Sequence, residues 1–547
     1  MRVCYSAPMA RDIQARAGAL RAEHDRLCFL RAFPRTHVER RRAERALAEF
    51  EARVVAIREQ LKDSGIAGTT YSYPYNYRLS RWMSETYGRA VSVDWNSYKR
   101  ADWDELAGLL SLLTGWAEMD GVDDEDTGSW DWVRAACSHD RRGGLAWILR
   151  RLRAATLPAE VERHLYESAG LPLLWDLAGC PDSITHLALS VRRPFTSREI
   201  LRGRPADFAA AVREPVGPLE IVAPRRAIRY IRAARASLSL REREFHVIVH
   251  ANPQETYRTR CGRGLEIITF GLPKQLRLPL EADYGCLLLR NGVTIGYAYG
   301  AVLFDRCDIG INIFPTYRSG ESTFAFTKVA ALFRQHFGSR VFIVRRYQIG
   351  HGNPEGIEAG AFWFYWKLGF RSIAPRIRSL AEREEKRLAR RRGARSDATM
   401  LRRLARSDVV WHAEGLPVAA FRDYDVAAVG RAVTRLIEQR YGGDRDAAEE
   451  DSARRVARAL GVERVARRLA PIAAGIRGLE HWPEGDKSRL AAVLRSKFAR
   501  RERGYVGALI RAERFRRCIE AYGNGGPTLA TNLAQGTFAR PASGRTR

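Results

Sequence analysis

The residues with the greatest potential for chemistry form a short turn after an apolar run. The turn consists of Tyr317, Arg318, Ser319, Gly320, Glu321, Ser322 and Thr323. A turn between a strand and a helix directs the free N–H groups and the dipole of the first helical turn at a single anion. Arg318 could add a charge-assisted contact with a phosphate, and the neighbouring hydroxyl groups could also donate. The sequence therefore predicts an anion-binding turn.

Apolar periodicity predicts the elements that position this turn. Short apolar runs predict strands at 245–250, 265–270, 286–289, 293–304, 309–314 and 341–344. Asn291-Gly292 is the pair expected in a tight hairpin, and Pro315 disfavours continuation of the strand before the turn. Helical spacing covers 323–337 and 358–368. The predicted order is a strand hairpin, a strand, a helix, a strand and a helix.

Two segments carry a resemblance to a known family. The first is Ile313-Phe314-Pro315-Thr316-Tyr317-Arg318-Ser319-Gly320, and the second is Phe364-Tyr365-Trp366-Lys367-Leu368-Gly369-Phe370 with Ala361 before it. Together they resemble the acyl-CoA-binding core of the GNAT N-acyltransferases, over residues 285–372. The resemblance implies an α+β fold with a mixed, mostly antiparallel sheet and packed helices.

The resemblance also implies a site. The turn 317–323 would bind the pyrophosphate of acetyl-CoA or another acyl-CoA, which acts as co-substrate, and the backbone of Ile313 would hold the pantetheine. Tyr365 stands where the family has the tyrosine that protonates the departing thiolate. The base for the acceptor amine is not determined: Asp308 and His351 are the predicted catalytic candidates, beside Asn312 and Glu355. The acceptor and the acyl group are not predicted.

Two other functions stay open because the turn departs from the family pattern. Where the family has several glycines, this chain has one, and Glu321 brings a negative charge. A non-catalytic GNAT-like scaffold that binds nucleic acid or another polyanion is the first alternative. A transferase that takes its acyl group from charged tRNA on the same fold is the second.

Composition bounds the class of protein. The 547 residues carry a formal net charge of +29, which suits anionic partners such as coenzyme A or nucleic acid. The eight cysteines are dispersed, so we expect neither a disulfide scaffold nor a metal site. No apolar run is long enough for a membrane span, and the N-terminus lacks an apolar signal core. We therefore expect a cytoplasmic protein.

The length predicts several units. Residues 1–66 would form an amphipathic helical segment, 67–215 a mainly helical domain, and 216–375 the GNAT-like domain. Residues 376–522 would form a basic helical region, followed by a disordered tail at 523–547, rich in Gly, Thr, Pro and Ser.

Overall fold

The computed structural model describes residues 7–523, apart from 99–102, 119–128, 139–142, 202, 204, 206 and 392. Residues 524–547 of the predicted tail lie outside the described residues. The predicted α+β class is confirmed, with a mostly antiparallel sheet and packed helices. Among the described residues, no helix is both long and apolar enough to cross a membrane.

The described strands form two sheets. The strands are β1 Thr70–Tyr73, β2 Val91–Val93, β3 Leu173–Asp176, β4 Glu220–Ile221, β5 Thr256–Arg260, β6 Leu265–Phe270, β7 Ala282–Arg290, β8 Val293–Leu303, β9 Arg306–Ile313, β10 Val341–Val344, β11 Arg371–Ser372 and β12 Val409–His412. The small sheet is antiparallel with order β1-β3-β2. The large sheet has the order β11-β12-β10-β9-β8-β7-β6-β5-β4, and its one parallel pair is β9 with β10.

The tight hairpin between β7 and β8 has the predicted chemistry. Asn291 and Gly292 have φ angles of 52° and 79°, as a type I′ turn requires at its two central positions. The Asn291 side chain also donates to the carbonyl oxygens of Ala32 and Phe195, both at 2.9 Å. The hairpin is therefore held to segments far from it in the sequence.

Helices pack around both sheets. The α-helices span Ala7–Ala32, His37–Ala48, Phe50–Val54, Tyr77–Tyr87, Trp103–Leu113, Ser129–Ala136, Gly144–Ala154, Ala159–Ser168, Phe208–Arg213, Pro224–Ser239, His246–Val249, Ser322–Phe337, Pro354–Glu358, Ala361–Lys367, Pro375–Ala389, Ala398–Leu404, Val426–Tyr441, Arg445–Leu460, Ala470–Ala474, Glu484–Ser496, Arg503–Arg511 and Glu513–Gly523. The helix Ser322–Phe337 is the crossover between the parallel strands β9 and β10, which need a connection of this length.

Two apolar clusters form the core. The larger contains the faces of the nine-stranded sheet, the first helices (residues 17–66) and residues of the last helices up to Ile519. The smaller surrounds β1, β2 and β3 and reaches Ala236, Leu240 and Val249. The N-terminal and C-terminal helices therefore share one core with the large sheet.

A buried charged cluster fastens the C-terminal helices to the sheet. Arg277 binds Glu255 at 2.9 Å, and Lys497 binds Glu502 at 2.5 Å. All four side chains are at most 1% exposed. Two cations and two carboxylates balance inside this cluster, as burial of charge requires.

Several local predictions differ from the structure. Residues 245–250 contain the short helix His246–Val249 instead of a strand, because β7 already pairs with β6 and β8 and the segment instead covers the face of β7 at Gly285. The predicted helical segment 1–66 is not one continuous helix: residues 37–61 form separate helices, with a non-helical φ of −135° at Ile57. Strand β12 lies inside the region that the sequence assigned to basic helices.

Candidate functional site

The candidate site begins where β9 continues past the end of its parallel neighbour β10. The ladder between β9 and β10 joins only residues 306–308 to 341–343. Strand β9 continues to Ile313 with β8 as its neighbour. The main chain of Ile311 therefore faces a gap, and the Gln348 side chain donates to its carbonyl oxygen at 2.8 Å.

A cavity of about 330 Å³ occupies this gap. Its lining comes from β8, the end of β9, the turn and first residue of the crossover helix, the loop after helix Pro224–Ser239, and the segment 347–365. The lining residues are Arg243, Tyr297, Ile311, Asn312, Ile313, Arg318, Ser322, Tyr347, Gln348, Asn353, Glu355, Gly356, Ala359, Ala361, Phe364 and Tyr365. Aromatic and aliphatic side chains share this lining with charged and amide side chains, and a concave site of this kind can bind a small molecule.

Tyr365 borders the cavity from a buried position. The residue is 1% exposed, and its ring packs edge-on against Phe326 and Phe370 with centroid distances of 5.3 and 5.7 Å. Burial raises the pKa of Tyr365, against hydrogen bonds from the Ile311 main chain and the Gln348 side chain. The phenol is therefore protonated at neutral pH and can act as a hydrogen-bond donor.

Arg318 and Ser322 line one side of the cavity. Ser322 is the first residue of the helix Ser322–Phe337, so the free amides of that helix begin at the cavity. The Arg318 Nε donates to the Ile313 carbonyl oxygen at 3.1 Å. This contact fixes the arginine side chain and occupies the acceptor that the sequence assigned to pantetheine.

Glu355 joins Arg318 to a second arginine. Arg318 Nη2 donates to Glu355 Oε1 at 2.6 Å, and Arg243 Nη2 donates to Glu355 Oε2. Glu355 follows Asn353, whose side chain caps the short helix Pro354–Glu358. The carboxylate thus lies between two guanidinium groups at the cavity.

Glu321 points into the protein. Its Oε1 accepts from Arg263 at 2.6 Å, its Oε2 lies 3.2 Å from Arg290 Nη2, and the side chain is 4% exposed. Burial lowers the pKa of Arg290 to about 10, while Glu321 opposes this shift. The negative charge that the sequence placed near a phosphate is neutralised on the inner side of the turn.

The other residues of the predicted turn do not line the cavity. Tyr317 is buried, and burial raises its pKa. Gly320 lies against Phe33, whose ring would be 2.6 Å from an added Cβ. Ser319 is exposed, and Thr323 is half-buried within the first helical turn. The amides of Tyr317 and Gly320 donate within the turn itself, to the carbonyl oxygens of Phe314 and Tyr317 at 2.8 and 2.9 Å.

The two predicted catalytic candidates other than Tyr365 lie outside the cavity lining. Asp308 is bound to Arg345 Nε at 2.5 Å, and burial raises its pKa to about 6, against the opposing effect of Arg306 and Arg345. His351 is exposed in the loop between β10 and helix Pro354–Glu358. The structure does not bring either side chain to Tyr365.

Sequence reasoning missed Arg243 and Gln348. Arg243 lies upstream of the block that carries the family resemblance, and Gln348 lies in a loop without a motif. Only the fold brings these residues to the strand gap. Asn312 and Glu355 were open candidates for the base, and both line the cavity.

No family model, curated protein or solved structure matches this chain. Within the described ranges, no group of three or more His, Cys, Asp and Glu side chains is arranged to hold a metal ion.

Proposed function

We propose that this chain is a GNAT-like N-acyltransferase that moves an acyl group from acyl-CoA to an amine. The observation that carries the proposal is the edge of β9 that continues past the end of β10 beside Tyr365. An extended pantetheine arm can lie along such an edge in the place of a neighbouring strand. The gap adjoins a helix N-terminus, which suits an anionic group.

Different residues of the cavity would bind different parts of the cofactor. The amides from Ser322 onward and the Arg318 guanidinium would bind the diphosphate, because both favour negative charge. The Ile311 carbonyl oxygen on the edge of β9 would accept a hydrogen bond from the pantetheine after the Gln348 side chain moves aside. The thioester would then lie near the Tyr365 hydroxyl.

Tyr365 would act on the leaving group. The acceptor amine attacks the thioester carbonyl, the C–S bond breaks, and the sulfur leaves with its electron pair. A hydrogen bond from a buried, protonated phenol stabilises the developing thiolate, which then takes a proton. The amine must lose a proton to solvent or to a nearby base, and the roles of Asp308 and His351 in that step stay predictions.

Calorimetry with acetyl-CoA tests the proposal. Wild type should bind saturably, Arg318→Ala should bind about tenfold or more weakly because it loses a charge-assisted contact, and Tyr365→Phe should bind like wild type. Arg431→Ala is the matched control, because this arginine is 60% exposed in a surface pair with Asp425. Absence of binding by wild type at millimolar acetyl-CoA would refute the proposal.

Activity separates the role of Tyr365 from binding. With any acceptor found by screening amines for thiol release, Tyr365→Phe should lower kcat by about 10²-fold or more at unchanged cofactor affinity. An unchanged kcat would remove Tyr365 from the mechanism.

A second candidate function is polyanion binding, which a basic groove favours. This groove of about 750 Å³ is lined by Arg192, Arg193, Arg226, Arg258 and Arg260 among other residues. Arg258 and Arg260 pair with Glu220. In the described part of the chain, the other three arginines form no ion pair with a carboxylate. Free guanidinium groups along a groove suit phosphates of a nucleic acid strand.

Salt dependence tests this candidate. Binding of a single-stranded RNA should weaken linearly on a log–log plot against salt, and the triple variant Arg192→Gln/Arg193→Gln/Arg226→Gln should lower the slope by about 2 to 3. The matched control replaces Arg390, Arg391 and Arg395, from the basic run of the C-terminal region. If the salt slope falls only in the control variant, the RNA binds the C-terminal region and not the groove.

A further inference from the structure

The two arginines at the cavity share a single carboxylate. Each oxygen of Glu355 accepts from a different guanidinium, one from Arg318 and one from Arg243. The Glu355 side chain is 29% exposed, and both arginine side chains are 38% exposed. Two cations and one anion leave a net positive charge at a site that solvent can reach.

Contacts other than Glu355 hold the Arg318 side chain and the Arg243 main chain. The Nε atom of Arg318 is bound to the Ile313 carbonyl oxygen. Arg243 follows the helix Pro224–Ser239, and its amide N–H donates to the Leu238 carbonyl oxygen at 3.0 Å. The preceding residue, Glu242, has a φ of 54°, a left-handed conformation that is uncommon for a residue other than glycine. The loop therefore turns sharply just before it presents Arg243 to the cavity.

A carboxylate between two guanidinium groups occupies the position that a phosphate group favours. Guanidinium groups bind carboxylates and phosphates with the same fork of N–H donors. A diphosphate offers more charge and more acceptor oxygens than one carboxylate does. A diphosphate can therefore compete with Glu355 for both guanidinium groups.

We infer that Arg243 is a second diphosphate-binding residue of the cavity, and that Glu355 is a competing carboxylate which the cofactor displaces. This inference rests on the proposed function. It assigns the diphosphate a clamp of Arg318, Arg243 and the amides from Ser322. Glu355 then has a regulatory effect, because competition by its carboxylate lowers the affinity of the cavity for the diphosphate.

Calorimetry with two ligands tests the clamp. Acetyl-CoA carries the diphosphate, and S-acetylpantetheine carries the same thioester arm without it. Arg243→Gln should weaken acetyl-CoA binding about tenfold or more and leave S-acetylpantetheine unchanged. Glu355→Gln should tighten acetyl-CoA binding several-fold, because a neutral amide competes less well for guanidinium groups. This gain should be smaller when Arg243→Gln is also present, because only Arg318 is then released.

The controls separate the possible failures. Arg431→Gln removes a surface charge far from the cavity and should change neither affinity, and the thermal midpoint of each variant checks its folding. If Arg243→Gln does not fold, Arg243→Lys takes its place, because lysine keeps the charge and loses the fork; it should weaken acetyl-CoA binding by a smaller factor.

The results distinguish failure of the proposed function from failure of the clamp and from failure of the competition by Glu355. If wild type binds neither ligand, the proposed function fails together with this inference. If wild type binds acetyl-CoA and a folded Arg243 variant binds it equally well, the clamp is overturned and the proposed function stands. If Glu355→Gln weakens both ligands, Glu355 supports the structure of the site and the competition is overturned.

Discussion

The turn at the cavity depends on a buried carboxylate, and Glu321→Gln tests this dependence. Glu321 accepts hydrogen bonds from Arg263 at 2.6 and 2.9 Å and lies 3.2 Å from Arg290. Arg290 is 3% exposed and lies between the rings of Phe33 and Phe195, 5.0 Å from each centroid. The substitution keeps the shape of the side chain and removes its charge.

The expected loss of stability follows from what remains unpaired. Removing one partner of a buried ion pair costs about 3–5 kcal/mol, because the other charge stays buried without compensation. Glutamine keeps one acceptor oxygen for Arg263, whose side chain is 24% exposed and can also reach water. We therefore expect the lower end of this range, about 3 kcal/mol, mostly from Arg290.

Urea unfolding followed by tryptophan fluorescence measures the loss. The midpoint of the transition that reports on the large sheet should fall while its m-value stays unchanged. Glu484→Gln is the matched control: this side chain is 83% exposed in a surface pair with Lys487, and its replacement should change stability by no more than about 0.5 kcal/mol. Adding Arg290→Met to Glu321→Gln should recover most of the loss, because no buried charge is then left alone.

The opposite result would refute the reasoning. If the Glu321 carboxylate faced the diphosphate, as its position in the turn suggests from the sequence, Glu321→Gln would keep the stability of wild type and would tighten acetyl-CoA binding.

Three further predictions concern the framework. Burial lowers the pKa of His24 to about 3, so the folded chain binds fewer protons than the unfolded chain from about pH 3 to 6.5. The free energy of unfolding therefore falls as the pH is lowered through this range. In urea titrations, wild type should lose about 2 kcal/mol more than His24→Phe between pH 7 and 5. An added Cβ at Gly300 would lie 2.3 Å from the Phe333 ring, so Gly300→Ala should destabilise by about 1–3 kcal/mol or more, whereas Gly430→Ala, in an open helical position, should stabilise by about 0.5–1 kcal/mol in the same assay. Arg277→Gln should lower the free energy of unfolding by about 3–5 kcal/mol, because Glu255 and Glu502 lose the buried cation that they share. An unfolding midpoint equal to that of wild type would contradict the role of this buried charged cluster.

The sequence predicted the local elements of the large sheet better than its extent. The Asn-Gly hairpin, the crossover helix and the strand at 341–344 depend on turn chemistry and periodicity within short windows, and the structure contains all three. Strand β12 depends on pairing with β10, which lies far from it in the sequence. Nothing in its own short apolar segment distinguishes a strand from a loop among basic helices.

The candidate site was likewise predicted only in part from the sequence. The family resemblance led to Arg318, Ser322 and Tyr365, which all line the cavity. It could not indicate Arg243, which comes from another element, or the direction of the Glu321 side chain. Side-chain direction in a turn depends on what packs on each face, and here one face meets Phe33, Arg263 and Arg290.

The N-terminal helix explains why the turn contains a glycine at this position. Phe33 follows the helix Ala7–Ala32 and covers Gly320 so closely that a Cβ would require it to shift. Thr316 donates to Asp25 on the same helix at 2.9 Å. Gly320 is therefore needed for packing on the inner face, whereas an anion would approach the outer face at Arg318 and Ser322. A turn with one face covered by protein needs free amides only on the other, so the missing family glycines do not exclude an anion from this site.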